Sequence, residues 1–341
     1  MRLIESVAVM MCWSIAGAAV ADDAVRHLDE LVVRETIAAQ KGDARLDYAM
    51  VDPASRRLFV ARGFGVTAVD LDSGKVTRAL VAGQHVHAVV AMPGDRVLST
   101  NGDADTATLF EGGSGKVIAQ IATGKGPDAA VFDPVSGLVL VMNGKDGTAT
   151  VIDPVRARAT DTIPIGGSLE FAVADGGGRV FVNIEDQGSV AVIDTRSKAV
   201  AVRYELPGCD HPTALGIDPR TGILLAACAN RIAVAIHAAD GTSAGAPIAI
   251  DRKPDAVIFD PLRRQFFIPC GQDGSLVVIA EAADRSLAAV ASIKTAVGAH
   301  TGAIDPKTGF IYLPTADYKV TKLGFSPIND SFRVLVVGPK E

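Results

Sequence analysis
Gly126-Pro127-Asp128-Ala129-Ala130-Val131-Phe132-Asp133-Pro134 runs through a turn into Leu138-Val139-Leu140-Val141-Met142-Asn143-Gly144 and on to Thr148-Ala149-Thr150-Val151-Ile152-Asp153. Short apolar runs separated by Asp-Pro and Gly-containing turns read as successive strands of an antiparallel meander. Working outward, the same frame recurs along the chain. The Asp of each Asp-Pro, or its stand-in, lies at Asp52, Met92, Asp133, Asp175, Asp218, Asp260 and Asp305, at intervals of 40, 41, 42, 43, 42 and 45 residues. A fixed period of this length is the signature of a repeat architecture, and four short strands per unit describe a propeller blade. Further second strands lie at Arg57–Ala61 and Phe266–Pro269, and a further third strand at Ser189–Ile193.

Seven units predict an all-β fold, a seven-bladed β-propeller. The last unit has no fourth strand after Phe332–Val337, while Leu31–Ala38 lies unassigned before the first unit. The N-terminal strand is therefore expected to join the last blade and close the ring, which removes exposed sheet edges. Tyr318–Asp330 reads as a loop inserted in that blade. No segment of the chain after residue 21 carries the 3.6-residue period of a helix, so an α/β reading fails.

The pattern around Asp128 resembles the YVTN repeat of YncE-like seven-bladed propellers. Leu46-Asp47-Tyr48, Glu170-Phe171-Ala172-Val173-Ala174-Asp175, Asn183-Ile184-Glu185-Asp186, Lys253-Pro254-Asp255-Ala256 and Leu313-Pro314-Thr315-Ala316 extend the likeness over essentially the whole chain after residue 21. The resemblance implies a periplasmic propeller of unassigned activity. Where such relatives place Arg at the last position of the ring described below, this chain has His300.

Of 341 residues, 48% are apolar and 21% charged, with 34 Gly and 17 Pro, which describes a turn-rich folded chain. The net charge of −6, without blocks of like charge, argues against nucleic acid and anionic membrane surfaces as partners. Arg2, the apolar stretch Val7–Val20 and Ala19-Val20-Ala21 before Asp22 have the form of a secretory signal. The domains are thus residues 1–21, a signal peptide, and residues 22–341, one propeller, periplasmic or secreted, not membrane-embedded and monomeric. No Cys-x-x-Cys-His motif is present, so no haem is expected. Gly113-Ser114-Gly115-Lys116-Val117 mimics a phosphate loop, but Val117 replaces the Ser or Thr, and Ser73-Gly74-Lys75-Val76 shows the same turn elsewhere in the repeat. No nucleotide is expected.

Blades are related by rotation, so one repeat position maps to one ring about the axis. Five residues before each anchor stand Asp47, His87, Asp128, Glu170, Thr213, Asp255 and His300. About ten residues after it, at the end of the second strand on the same face, stand Arg62, Asn101, Asn143, Asn183 to Glu185, Cys228, Cys270 and Thr315. Polar groups at a wet channel mouth also serve as plain turn caps. Crowded carboxylates, however, raise affinity for protons or cations. Oxygen ligands with imidazole suit a divalent metal.

The expected ligand set is Asp47, His87, Asp128, Glu170, Asp255, His300, Arg62, Asn101, Asn143 and Glu185, with Asp47, His87, Asp128, Glu170 and Asp255 as candidate metal ligands. Arg62, Lys125, Arg252 and Lys253 are near enough in sequence to offset part of the negative charge, and alternation puts His85 and His87 on one side of a strand. The functions compatible with this ring are a binding module for a divalent cation or small polar ligand, a metal-assisted hydrolase of the lactonase kind with His87 or His300 as general base, and a scaffold for a periplasmic protein partner. Cys209 and Cys228 flank Asp218 on one face of blade five and are expected to form a disulfide in an oxidising compartment. Cys270 is left over, as a buried apolar group or a reactive thiol; a Cys228–Cys270 bridge or a soft-metal site with His211 is the competing arrangement.

Overall fold
The computed structural model describes residues 31–40, 42–281, 286–321 and 324–340. The expected signal segment, residues 1–21, lies outside the described residues. Seven four-stranded antiparallel sheets are arranged as a β-propeller, and one further two-stranded hairpin stands apart from them. Blade three, the stretch that reveals the period, runs Pro127–Asp133, Leu138–Asn143, Thr148–Asp153 and Arg158–Pro164 from the axis outward. Its second and third strands are buried almost throughout, whereas the outermost is exposed at nearly every position. Apolar side chains of the middle strands therefore fill the space between neighbouring blades, as in the cluster that joins Leu58 and Val60 of blade one to Tyr312, Phe332 and Val334 of blade seven.

The Asp of each Asp-Pro works as a turn cap. Asp133 carboxylate oxygens accept from the Val135 and Ser136 amides, Asp260 from Leu262 and Arg263, and Asp305 from Lys307. Such Asx turns satisfy the amides that a tight corner leaves without a ladder partner. Several of these carboxylates are fully buried, and they also tie blades together: Thr195 Oγ1 of blade four donates to Asp133 of blade three, and Arg56 of blade one pairs with Asp305 of blade seven.

Blade seven consists of Ala303–Ile304, Ile311–Thr315, Phe332–Pro339 and, outermost, Leu31–Gln40. Leu31 pairs with Pro339 and Thr36 with Leu335, so the N-terminal strand closes the ring as expected. The Tyr318–Asp330 segment differs from the loop expected of it: Tyr318–Thr321 and Gly324–Pro327 pair as a hairpin rising between the second and third strands of the blade. Tyr318-Lys319-Val320-Thr321 alternates apolar and polar residues, the period of a strand.

Cys209 and Cys228 are joined, with Cα atoms 5.5 Å apart, and the competing Cys228–Cys270 pairing is thereby excluded. Cys270 is free and buried, and burial pushes its thiol up to about 12, which removes it as a reactive group. Among the described residues, the sole helical turn is Glu185–Gln187, and no helix is long and apolar enough to cross a membrane.

Candidate functional site
The innermost strands begin at one mouth of the channel, and their starts bring side chains from separate blades together. His87 Nδ1 donates to Asp47 Oδ2 at 2.7 Å and lies 3.5 Å from Asp128 Oδ1. Three consecutive blades thus supply carboxylate, imidazole and carboxylate, with ligand atoms within 4.8 Å of one another. Each keeps between a fifth and a third of its side-chain surface open. His87 is not itself on a strand, since that of blade two is cut back to Val89–Met92. His85 takes a left-handed φ of 52°, so strand alternation is not what brings the two imidazoles together, although their rings lie 4.3 Å apart. Gly102 makes room for His87, because a Cβ there would come within 2.6 Å of the ring.

On the other side, His300 Nδ1 donates to the Gly298 carbonyl at 2.7 Å, and its Nε2 faces Asp255 Oδ2 at 3.7 Å. A ring nitrogen held by a carbonyl fixes the tautomer and leaves the other nitrogen as an acceptor. Glu170, from blade four, accepts a hydrogen bond at 3.1 Å from the hydroxyl of Tyr48, whose ring crosses from blade one and meets Phe171 edge-on. Tyr48 is therefore a bar across the channel. On its inner side lies an apolar cavity of ≈ 430 Å³ walled by Met50, Val90, Val131, Phe132 and Phe171 among others.

Electrostatics divide the ring in two. Burial opposes the imidazolium of His87, but the bond from Asp47 and the charges of Asp128 and Asp47 outweigh it and raise its proton affinity. Burial and the neighbouring Asp47 charge lift Asp128 to about 6. Across the channel, burial together with Asp128 and Asp255 lifts Glu170 to about 9. Asp255 is raised well above the carboxylate range, burial first and then Asp47 and Asp128, whereas burial lowers His300. Proton affinity is thus raised at His87, Asp128, Glu170 and Asp255, while at His300 burial lowers it.

The remaining expected residues are placed as follows. Thr213 Oγ1 donates to the Pro254 carbonyl. Glu185, at the 3₁₀ turn, is close enough for its charge to raise Asp128, Glu170 and Asp255. Arg62, Asn101 and Asn143 end second strands near this mouth, but their side chains turn into the blades. Arg62 is buried, donates to the Arg45 and Asp43 carbonyls, and lies over Phe332 and Phe64. Asn101 Nδ2 donates to Thr106 and Thr108, and Asn143 Nδ2 to Thr148 and Thr150. A second-strand end sits one layer from the axis, so its side chain meets the third strand before it meets the channel.

Of the four cationic residues expected to offset the ring, Arg62 is engaged inside blade one and Arg252 is held by Asp273. Lys253 lines a pocket of ≈ 250 Å³ together with Thr213, Asp255, Gln272, His300 and Tyr318. Tyr48, Gln272 and Tyr318 escaped the sequence reading. Tyr48 had a signal: equivalent positions hold Ala88, Ala129, Phe171, Ala214, Ala256 and Thr301, so a tyrosine there is out of scale with its column.

No known protein family's sequence pattern matches this chain, and no curated protein matches it. Solved structures do. A chain of Kuenenia stuttgartiensis hydrazine synthase superposes with TM-score 0.68 at 16% identity, covering 85% of this chain and 97% of that one. A chain of the mitotic checkpoint complex gives 0.73 at 13% identity with 99% of both chains covered, and the RRP9 WD40 repeats give 0.73 at 10%, covering 92% and 98%. The shared property is the β-propeller fold. At such identities function does not travel with the fold.

Proposed function
We propose that this protein is a periplasmic or secreted propeller of the YVTN kind that holds a divalent cation at the mouth of its channel, through Asp47, His87 and Asp128. The observation that carries this reading is the convergence of one nitrogen and two carboxylate oxygens from three neighbouring blades. All three ligand atoms lie within 4.8 Å of one another, close enough to share one small ion. A mixed oxygen and imidazole set suits first-row divalent ions such as Mn²⁺ or Zn²⁺. The ion would take the place of the proton now shared between His87 and Asp47. Residues 1–21 read as a secretory signal, and the Cys209–Cys228 bridge suits an oxidising compartment.

The test is metal analysis of protein purified without chelator, followed by melting with and without EDTA. The expected outcome is one ion per chain, a lower Tm after EDTA, and a loss of Mn²⁺ affinity on the order of 10–100-fold or more in His87→Ala. Absence of binding at neutral pH would overturn the reading. Proton and metal compete for Nδ1, so affinity should fall as pH is lowered below the raised value of His87.

A second reading, metal-assisted hydrolysis of lactones or esters, is favoured by one observation. His300, with Nδ1 held by Gly298, presents an unprotonated Nε2 to the ring and could take a proton from water there. Turnover of a lactone that requires both His87 and His300 would establish it.

A further inference from the structure
Beside the ring lies a pocket that the cation does not account for. Its walls come from blades five to seven and the inserted hairpin: Thr213, Lys253, Asp255, Gln272, His300 and Tyr318 carry its polar groups, and its volume is ≈ 250 Å³, below the range of drug-sized sites. Two glycines make the space. A Cβ on Gly271 would come within 2.6 Å of His300 Cβ, and one on Gly298 within 1.8 Å of the Tyr318 ring. Gly298 also orients His300 through its carbonyl, so the same residue sets one wall and seats the other.

The polar groups here are unevenly engaged. Thr213 is tied to Pro254, and the adjacent Arg252 is tied to Asp273 by both its backbone amide and its Nε. Lys253, Gln272 and the Tyr318 hydroxyl make no side-chain hydrogen bond or ion pair among the described residues. Lys253 is nevertheless held firmly. Its backbone lies at a left-handed φ of 62°, uncommon for a residue with a side chain, and its carbonyl accepts from Gly271. An ammonium, an amide and a phenol all offer donors; opposite them His300 Nε2 and the Asp255 carboxyl face one another at 3.7 Å, and burial with the charges of Asp47 and Asp128 disfavours the ionised form of Asp255.

We propose that this pocket seats the carboxylate of a small ligand, bound by Lys253, Gln272 and Tyr318, whose other polar end reaches the cation at Asp47, His87 and Asp128. The ligand class is a compact hydroxy- or dicarboxylate. One cationic side chain with two neutral donors matches the single charge of a carboxylate, whereas the lining holds no second Lys or Arg to balance a doubly charged phosphate. The second end of the ligand rests on the cation reading above; the carboxylate seat does not.

Malate is the probe, titrated calorimetrically into wild-type protein with and without saturating Mn²⁺, with dimethyl malate as the uncharged control. Wild type should bind malate at least about tenfold more tightly with Mn²⁺ than without, and should ignore the diester. Lys253→Met adds no backbone strain, since methionine meets the same φ, and should lose at least about tenfold in malate affinity while its Mn²⁺ affinity stays put. Gln272→Leu, at a half-buried wall, provides the same comparison if Lys253→Met folds poorly. Malate binding that is unchanged in both variants, or equal binding of the diester, would overturn the proposal. If Mn²⁺ fails to bind at all while malate binding still depends on Lys253, the cation reading falls and the carboxylate seat stands.

Discussion
Glu170 shows how one side chain reports on the whole ring. Its carboxyl is held at about 9 by burial and by Asp128 and Asp255, against an ordinary 4.5, and Tyr48 donates to it. The folded state therefore binds more protons than the unfolded chain between about pH 4.5 and 9, so this group lowers stability as pH rises through that window. Raised Asp128 and His87 act in the same sense, and the lowered His300 opposes them. Glu170→Gln keeps an acceptor for Tyr48 and removes the charge. It should flatten the fall in Tm of the metal-free protein between pH 6 and 9 and raise Tm at pH 8 by at least roughly 1–2 °C, the shift for about 1 kcal/mol. A pH profile parallel to that of wild type would show that Glu170 does not titrate as described. The ring positions themselves were legible because rotation maps one repeat column onto one circle. Tyr48 and Tyr318 were not: Tyr48 crosses from its own column to Glu170, Tyr318 stands on a hairpin outside the repeat, and spacing along the chain encodes neither.

At the level of elements, blade five is the thinnest, with an outer strand of only Ile248–Ala249. The Cys209–Cys228 bridge staples the approach to its innermost strand onto the end of the second, where Pro212 pairs with Cys228. Closing 19 residues restricts the unfolded chain by about 3 kcal/mol. Reduction should therefore lower Tm by roughly 5 °C, a shift that melting under oxidising and reducing conditions reads directly. A double Cys209→Ala, Cys228→Ala variant should melt at the reduced temperature under both conditions. Adjacency of the two cysteines could be read from the sequence because both were counted from one anchor. The hairpin at Tyr318–Thr321 and Gly324–Pro327 could not, since it belongs to no column and has no counterpart in the other six blades.

For the molecule as a whole, closure is the decisive contact. The strand Leu31–Gln40 comes from the far end of the chain to cover the edge of Phe332–Pro339, and Arg56 with Asp305 spans the same seam from blade one. Without that strand, Phe332–Pro339 would present an unpaired, largely apolar edge. A chain begun at residue 42 should accordingly elute as dimers or larger assemblies on size exclusion, whereas the full chain elutes as a monomer; a monodisperse, fully folded truncated chain would show that the strand is dispensable. The two ends of the channel also differ as wholes. One mouth gathers carboxylates and imidazoles, while the other, lined by Phe132, Pro134, Ile217, Pro219 and Phe259, is mostly apolar.

Sequence by itself determined the blade number and the closing strand, favoured the Cys209–Cys228 pairing, and put Asp47, His87, Asp128, Glu170, Asp255 and His300 in one column of the repeat. These follow from period and chain order. Tertiary structure alone decided which side chains face the axis and which face a blade. It sent Arg62, Asn101 and Asn143 into the blade layers, where buried donors find partners, and it brought Tyr48 across to Glu170. It also set the proton affinities around the ring, up at Asp128, Glu170 and Asp255 and down at His300, because proton affinity depends on burial and on charges contributed by other blades, distances that no single repeat contains.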